Sequence, residues 1–173
     1  MRIAVLSDLH DNLVAWQAAL RYLRSEQIET IINCGDTSTV ETLLEMAKSF
    51  PGVIHTVCGN AADREGELQA IEEVSNVRHY GDVGEVTLNG KLIYFNHFPA
   101  AATKAVKSGR YDLVCYGHSH MKRWEPVDKL KAKQKQPTTW ILNPGTLGGV
   151  FQYPSFATID LQTNSCAFID LTI

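Results

Sequence analysis

The feature that most constrains the fold is an alternation repeated three times in the first half of the chain. RIAVLS, beginning at residue 2, reads as a strand, and residues 12–25 read as a helix. ETIINC then reads as a strand with a helix over residues 40–49, and GVIHTVC as a strand with a helix over residues 63–73. Short runs rich in Val and Ile, each followed by a helical segment, predict βαβ units around a largely parallel sheet. Continuous apolar runs such as IAVL predict strands covered on both faces.

The second half changes pattern. EVTLNGKLIYF is two apolar runs joined by Asn89-Gly90, a strong hairpin signal. Residues 100–108 read as one short helix. DLVCY, TTWIL, SFATIDL and CAFIDLTI read as strands, the last two flanking Gln162-Thr163-Asn164 as a second hairpin. These segments predict a second, mixed or antiparallel sheet. No linker and no fixed-period repeat interrupts the chain, so residues 1–173 are expected to form one α/β domain of two packed sheets with helices outside.

Composition excludes some classes of function. A formal net charge of −3 gives no electrostatic reason to expect nucleic acid as the main partner. No apolar run approaches the roughly 20 residues needed to span a bilayer. The N-terminal apolar run is shorter than a signal segment and lacks a small-residue cleavage site, so a cytoplasmic location is expected. Cys34, Cys58, Cys115 and Cys166 are scattered, without a Cys-x-x-Cys pair, and read as free thiols; the first three end apolar runs and read as small buried fillers. The lysine-rich stretch Lys129–Lys135 reads as a solvated loop or edge ribbon, with phosphate steering as the alternative.

Chemistry is concentrated where the predicted strands end. Asp8-Leu9-His10 follows IAVLS, Gly35-Asp36 follows IINC, and Gly59-Asn60 follows HTVC. Asn96-His97 follows LIYF, and Gly117-His118-Ser119-His120 follows DLVCY. The carboxyl ends of parallel strands lie along one sheet edge, so these residues should converge. Two Asp, one Asn and four His are too many for one tetrahedral zinc and suit two metals sharing a carboxylate. The mixture of imidazole and oxygen favours manganese, iron, zinc, nickel or cobalt over calcium. Two divalent ions about 3.5–4 Å apart suit displacement at phosphorus. Their four positive charges exceed the two negative charges of Asp8 and Asp36, so the site should attract a small phosphate ester.

In this order, Asp8-x-His10, Gly35-Asp36, Gly59-Asn60, His97 and Gly117-His118-x-His120 resemble the calcineurin-like metallophosphoesterases. The short length, with Asn143-Pro144-Gly145-Thr146 and Pro154-Ser155-Phe156-Ala157, is most similar to the small YfcE-like phosphodiesterase branch. The resemblance implies a four-layer αββα sandwich and a dinuclear centre, with manganese the leading metal. It implies that Asp8, His10, Asp36 and His120 hold one ion and Asp36, Asn60, His97 and His118 the other, with Asp36 bridging. It further implies in-line attack by a metal-bridging hydroxide, with Asp36, Asn60 and His97 as catalytic residues. Asn60 and Asn12 would reach the phosphate.

The chain departs from that pattern at several places. Asp11 stands where Gly is usual and reads as an N-cap for the following helix, or as a carboxylate beside the site. Asp63 reads as a displaced site residue or a helix cap, and Arg64 as a phosphate contact or a surface residue. Phe98-Pro99 follow His97 where Gly-His is usual, which removes an evident proton donor and favours good leaving groups. Gly148-Gly149-Val150-Phe151 stand where an arginine is often found. His55 reads as a core residue, and His79, placed in a loop, as either core or site. A phosphomonoesterase, or a non-catalytic scaffold like the retromer subunit that resembles this branch, are the alternatives to a phosphodiesterase.

Overall fold

A computed structural model of the chain describes residues 1–127 and 138–173; Lys129–Lys135 lies outside the described residues. The first βαβ repeats form as the sequence predicts: β1 (Arg2–Leu6), α1 (Leu13–Ser25), β2 (Thr30–Asn33), α2 (Val40–Ser49), β3 (Val53–Thr56) and α3 (Arg64–Ala70). A single 3₁₀ turn (Ile71–Glu73) leads into β4 (Val77–His79), so His79 ends a short strand and not the loop that the sequence predicts. The hairpin β5 (Val83–Leu88) and β6 (Lys91–Asn96) turns at Asn89 and Gly90, with φ of 50° and 74°, as a tight primed turn requires. Then come α4 (Pro99–Ser108), β7 (Leu113–Cys115), β8 (Arg123–Val127), β9 (Thr139–Asn143), β10 (Ser155–Asp160) and β11 (Ser165–Asp170).

The strands make two mixed sheets, ordered β11-β10-β1-β2-β3-β4 and β5-β6-β7-β9-β8. β1 to β4 run parallel, and so do β6, β7 and β9. One expectation needs correction. β10 and β11 do not extend the second sheet; β10 pairs antiparallel with β1, Ile3 opposite Ile159, and completes the first. The apolar pattern of SFATIDL specifies a strand covered on both faces but not which sheet it joins. β8 is not predicted by the sequence pattern, since RWEPV carries Pro126, which suits the edge position that β8 occupies.

Strand alternation builds three apolar layers. Ile3 and Val5 face Ile93, Phe95, Leu113, Cys115 and Leu142 in the core between the sheets. Ala4, Leu6 and Ile31 face the other way, onto Trp16, Leu20 and Leu23 of α1 and Leu43 and Met46 of α2. On the outer face of the second sheet, Tyr94, Val114 and Ile141 pack against Ala102 and Ala105 of α4. The order of layers is therefore helix, sheet, sheet, helix. Fully buried Phe95 and Phe156 each contribute roughly 1.5–3 kcal/mol through burial. No helix among the described residues is long and apolar enough to cross a membrane.

Candidate metal centre

The parallel strands β1, β2, β3, β6 and β7 all release their chains at one edge of the sandwich, and the polar residues read at the strand ends meet there. Asp8, Asp36 and His97 are buried, at 0%, 2% and 1% exposure. Donor atoms of Asp8, His10 and His120 lie within 4.8 Å of one another, and so do those of Asp8, Asp36 and His97. Asp8 is thus the carboxylate common to both groups, whereas the resemblance gives the shared role to Asp36. Asn60 joins the second group: its Oδ1 is 3.0 Å from His97 Nε2 and 2.8 Å from His118 Nδ1.

The backbone explains how so many side chains aim at one place. Asp8, His10, Asp36, His118 and His120 all have positive φ, between 48° and 65°. An L-residue in this region costs about 1–2 kcal/mol, and such residues concentrate at functional sites. One segment, residues 143–148, holds both tight turns. The segment after β9 clamps the Asp8 turn: Leu147 N–H donates to Ser7 O (2.8 Å), Gly148 N–H to Asp8 O (2.9 Å) and the Thr146 hydroxyl to Asp8 O (3.0 Å). Asn143 Nδ2 donates to Gly117 O and Ser119 Oγ, fixing the loop that carries His118 and His120. The Asn-Pro-Gly-Thr motif signalled this segment, but its bracing task shows only in three dimensions.

Second partners orient the imidazoles. His97 Nδ1 donates to Cys34 O at 2.9 Å, and His120 Nδ1 donates to Val150 O at 2.8 Å. Each leaves Nε2 facing inward: His97 toward Asp36 Oδ2 (3.2 Å) and His120 toward Asp8 Oδ1 (3.1 Å). This is the arrangement by which backbone carbonyls orient metal-binding histidines. His10 Nε2 is buried without any hydrogen-bond partner, 3.8 Å from Asp8 Oδ1. A buried nitrogen with no partner beside a fully buried carboxylate fits a cation better than it fits a closed hydrogen-bond network. The residues present therefore fit divalent metal.

Charge is balanced within the site. Burial alone would raise the Asp36 carboxyl, but hydrogen bonds from His97 and from the Ala61 amide (2.7 Å to Oδ1), with the charge of His97, hold it below the usual range. Burial alone would lower His97, but Asp36 and Asp8 raise it.

Residues read as neighbours of the site have other work. Asn12, not Asp11, caps α1: its Oδ1 accepts from Ala15 N–H (3.1 Å) and its Nδ2 donates to Gly148 O (2.9 Å). Asp11 instead braces the start of α2, its Oδ1 accepting from the Thr39 amide (3.0 Å) and the Thr39 and Thr42 hydroxyls. Asp63 caps α3 through Gly66 N–H, and Arg64 pairs with Asp82 on the surface. His55 is a buried residue of β3 bonded to the Tyr80 hydroxyl at 2.9 Å. His79 ends β4 rather than lying in a loop. It forms a third group with Cys58 and Glu67, yet its Nδ1 accepts from Gly81 N–H, which leaves the Nε2 proton for Glu67 at 3.0 Å. Burial pushes the Cys58 thiol up to about 11, so it stays protonated. His79 is thus held at both ring nitrogens, while Glu67 Oε1 is buried without a partner.

A cleft of about 410 Å³ opens over the centre, lined among others by His10, Asp36, Asn60, His118, His120 and Phe151. Two layers of mixed sheet with carboxylates and imidazoles gathered at the strand ends define a metallophosphoesterase. The model of the calcineurin-like phosphoesterase superfamily domain matches residues 1–164, and the chain belongs to that superfamily, among hydrolases of phosphoric ester bonds. A phosphodiesterase of Methanocaldococcus jannaschii is 26% identical over 165 residues, covering 94% of each chain. The solved structure of an archaeal phosphodiesterase aligns with a TM-score of 0.87 at 26% identity, covering 99% of this chain and 100% of the other. The YfcE phosphoesterase of E. coli (TM-score 0.60, 17% identity, coverage 99% and 100%) shares the fold. So does vacuolar protein sorting 29 of Cryptosporidium parvum (TM-score 0.65, 16% identity, coverage 99% and 98%).

Proposed function

We propose that the chain is a metal-dependent phosphodiesterase that works with two divalent ions, manganese first, with iron, zinc, nickel and cobalt as alternatives. Asp8, His10, Asp36 and His120 would hold one ion, and Asp36, Asn60, His97 and His118 the other. The observation that carries this reading is the unpartnered, buried Nε2 of His10 beside the fully buried Asp8 carboxylate. When bound, the ions would supply positive charge to the phosphoryl oxygens and lower the pKa of the attacking water. The chain's own part is placement. Cys34 O and Val150 O take the Nδ1 protons of His97 and His120, which aims both Nε2 atoms at the centre. The Ala61 amide and His97 keep Asp36 ionised. The left-handed turns fix these groups before substrate arrives, so little reorganisation accompanies reaction.

The test is hydrolysis of bis(p-nitrophenyl) phosphate by metal-stripped protein, before and after Mn²⁺ is added, with Asp36→Asn alongside. The wild type should recover turnover only with metal. The variant keeps an oxygen for the Ala61 amide and should stay folded, with activity lowered about 10²-fold or more. An undiminished rate in the variant would refute the reading. Preference for p-nitrophenyl phosphate would indicate a monoesterase instead. Absence of turnover with all five metals would indicate a scaffold on this fold.

A further inference from the structure

Three exposed aromatic side chains and one exposed methionine surround the metal centre. Phe98, Phe151, Tyr153 and Met121 are 44%, 91%, 85% and 66% exposed. Large apolar groups left in water at the rim of a polar site mark contact with a partner molecule. Two of the rings are placed against histidines of the centre. Phe98 lies edge-on to His97 and His118, with centroids 5.0 and 5.2 Å away. Phe151 stacks on His120 at 6.1 Å and 30°. Phe151 also has a φ of 62°, which a bulky residue adopts at a cost. The two phenyl rings therefore flank the centre, one on the histidines of each group. Beyond Phe151 the cleft continues into a second hollow of about 440 Å³ that shares His120, Met121 and Gln152 with the first and includes Tyr153.

Charge narrows the choice of substrate. No Lys or Arg is among the described residues lining the first cleft, and Lys122 of the second hollow is paired with Asp170. A monoester dianion would be met by the metal charge alone, whereas a diester carries one negative charge and has two organic arms to place. Phe98 stands beside His97 with no proton to give. We infer, resting on the phosphodiesterase reading, that the substrates are phosphodiesters with planar aromatic arms. The leaving arm lies on Phe98, and the retained arm lies on Phe151 and runs into the second hollow. Hydrolysis forms a P–O bond to the water oxygen and breaks the P–O bond to the leaving arm. That arm departs with the electron pair as an aryl oxide, and the water proton passes to solvent. An arm that leaves as a stable anion needs no acid at the Phe98 position.

The experiment compares bis(p-nitrophenyl) phosphate with methyl p-nitrophenyl phosphate, using the Mn²⁺-loaded full chain. The leaving group is the same; only the retained arm differs. Phe151→Ala should lower kcat/KM for the bis ester about 3- to 10-fold more than for the methyl ester, mainly through KM. Phe151→Tyr should retain the wild-type preference. Phe98→Ala should lower both substrates by a similar factor. Thermal melts establish that the variants fold. A bis-to-methyl ratio within two-fold of wild type in Phe151→Ala would overturn the inference, as would wild-type rates in Phe98→Ala. Wild-type protein inactive on both diesters would overturn the phosphodiesterase reading, and this inference with it, a result distinct from active enzyme with an unchanged ratio.

Discussion

Gly59 permits a close approach that no other residue would allow, and Gly59→Ala tests whether that approach builds the site. A Cβ at residue 59 would lie 2.5 Å from the Asp36 carboxyl carbon and 2.5 Å from the Asp36 amide nitrogen, with Oδ1 nearer still. Ordinary contact begins at 3.4 Å, so either the carboxylate or the backbone must move by about 1 Å. Backbone is involved, and a rotamer change alone cannot relieve the clash. Overpacking of this kind costs about 1–3 kcal/mol. Loss of the bond from the Ala61 amide to the buried carboxylate adds about 1.5–3 kcal/mol. A total of about 2.5–6 kcal/mol should lower Tm by roughly 5–24 °C for a chain of this size. A shift of about 1 Å in a carboxylate of the centre should also cost about 10²-fold in turnover. The measurements are calorimetric Tm without metal, Mn²⁺ stoichiometry by titration, and hydrolysis of bis(p-nitrophenyl) phosphate. Gly90→Ala is the control: its Cβ meets nothing within 4 Å, so only the cost of its φ of 74° remains, about 1–2 kcal/mol. If Gly59→Ala melts within 2 °C of wild type and binds the same Mn²⁺, the packing argument is wrong.

Two further outcomes are expected. Asn12→Ala removes the α1 cap and the tether to Gly148 together, a loss of about 2 kcal/mol seen as a Tm lower by roughly 4–8 °C; a change under 1 °C would contradict that assignment. His55 is lowered from its ordinary value of 6.5 by burial first and by the charge of Arg78 second. The unfolded chain therefore takes up this proton before the folded one does. Stability from the neutral ring is complete above 6.5 and is lost as pH falls below it toward the folded-state value. His55→Gln should reduce the loss of urea midpoint between pH 7.5 and 5, and an unaltered slope would exclude His55 as a contributor.

Much of this architecture is written in local pattern. Val-rich runs followed by amphipathic segments specify the βαβ repeats, and Asn89-Gly90 specifies the hairpin with its left-handed turn. The strand-end residues are legible because parallel strands must open at one edge. What is hidden depends on distant partners. Nothing local to SFATIDL says that it will lie beside β1. The three residues of β4 are too few to show a period, and Pro126 disguises β8. Asp11 looks like a cap for the helix beside it, yet it serves Thr39 and Thr42 of another. The rim formed by Phe98 and Phe151 is equally invisible, because an aromatic residue after a strand is read as core until its exposure is known.

The pairing of β1 with β10 also orders events during synthesis. β1 has its parallel neighbour β2 early, but its other edge stays open until residues 155–160 have been made. The bracing of Asp8 by Thr146 and Gly148, and of His120 by Val150, is equally late. A nascent chain can therefore contain every strand-end carboxylate and still lack an assembled centre. The pairing of Ile3 with Ile159 is a high contact-order step and should be slow relative to the local helices. Assembly of the strand-end cluster is therefore a late event in the life of the chain, set by residues 143–160.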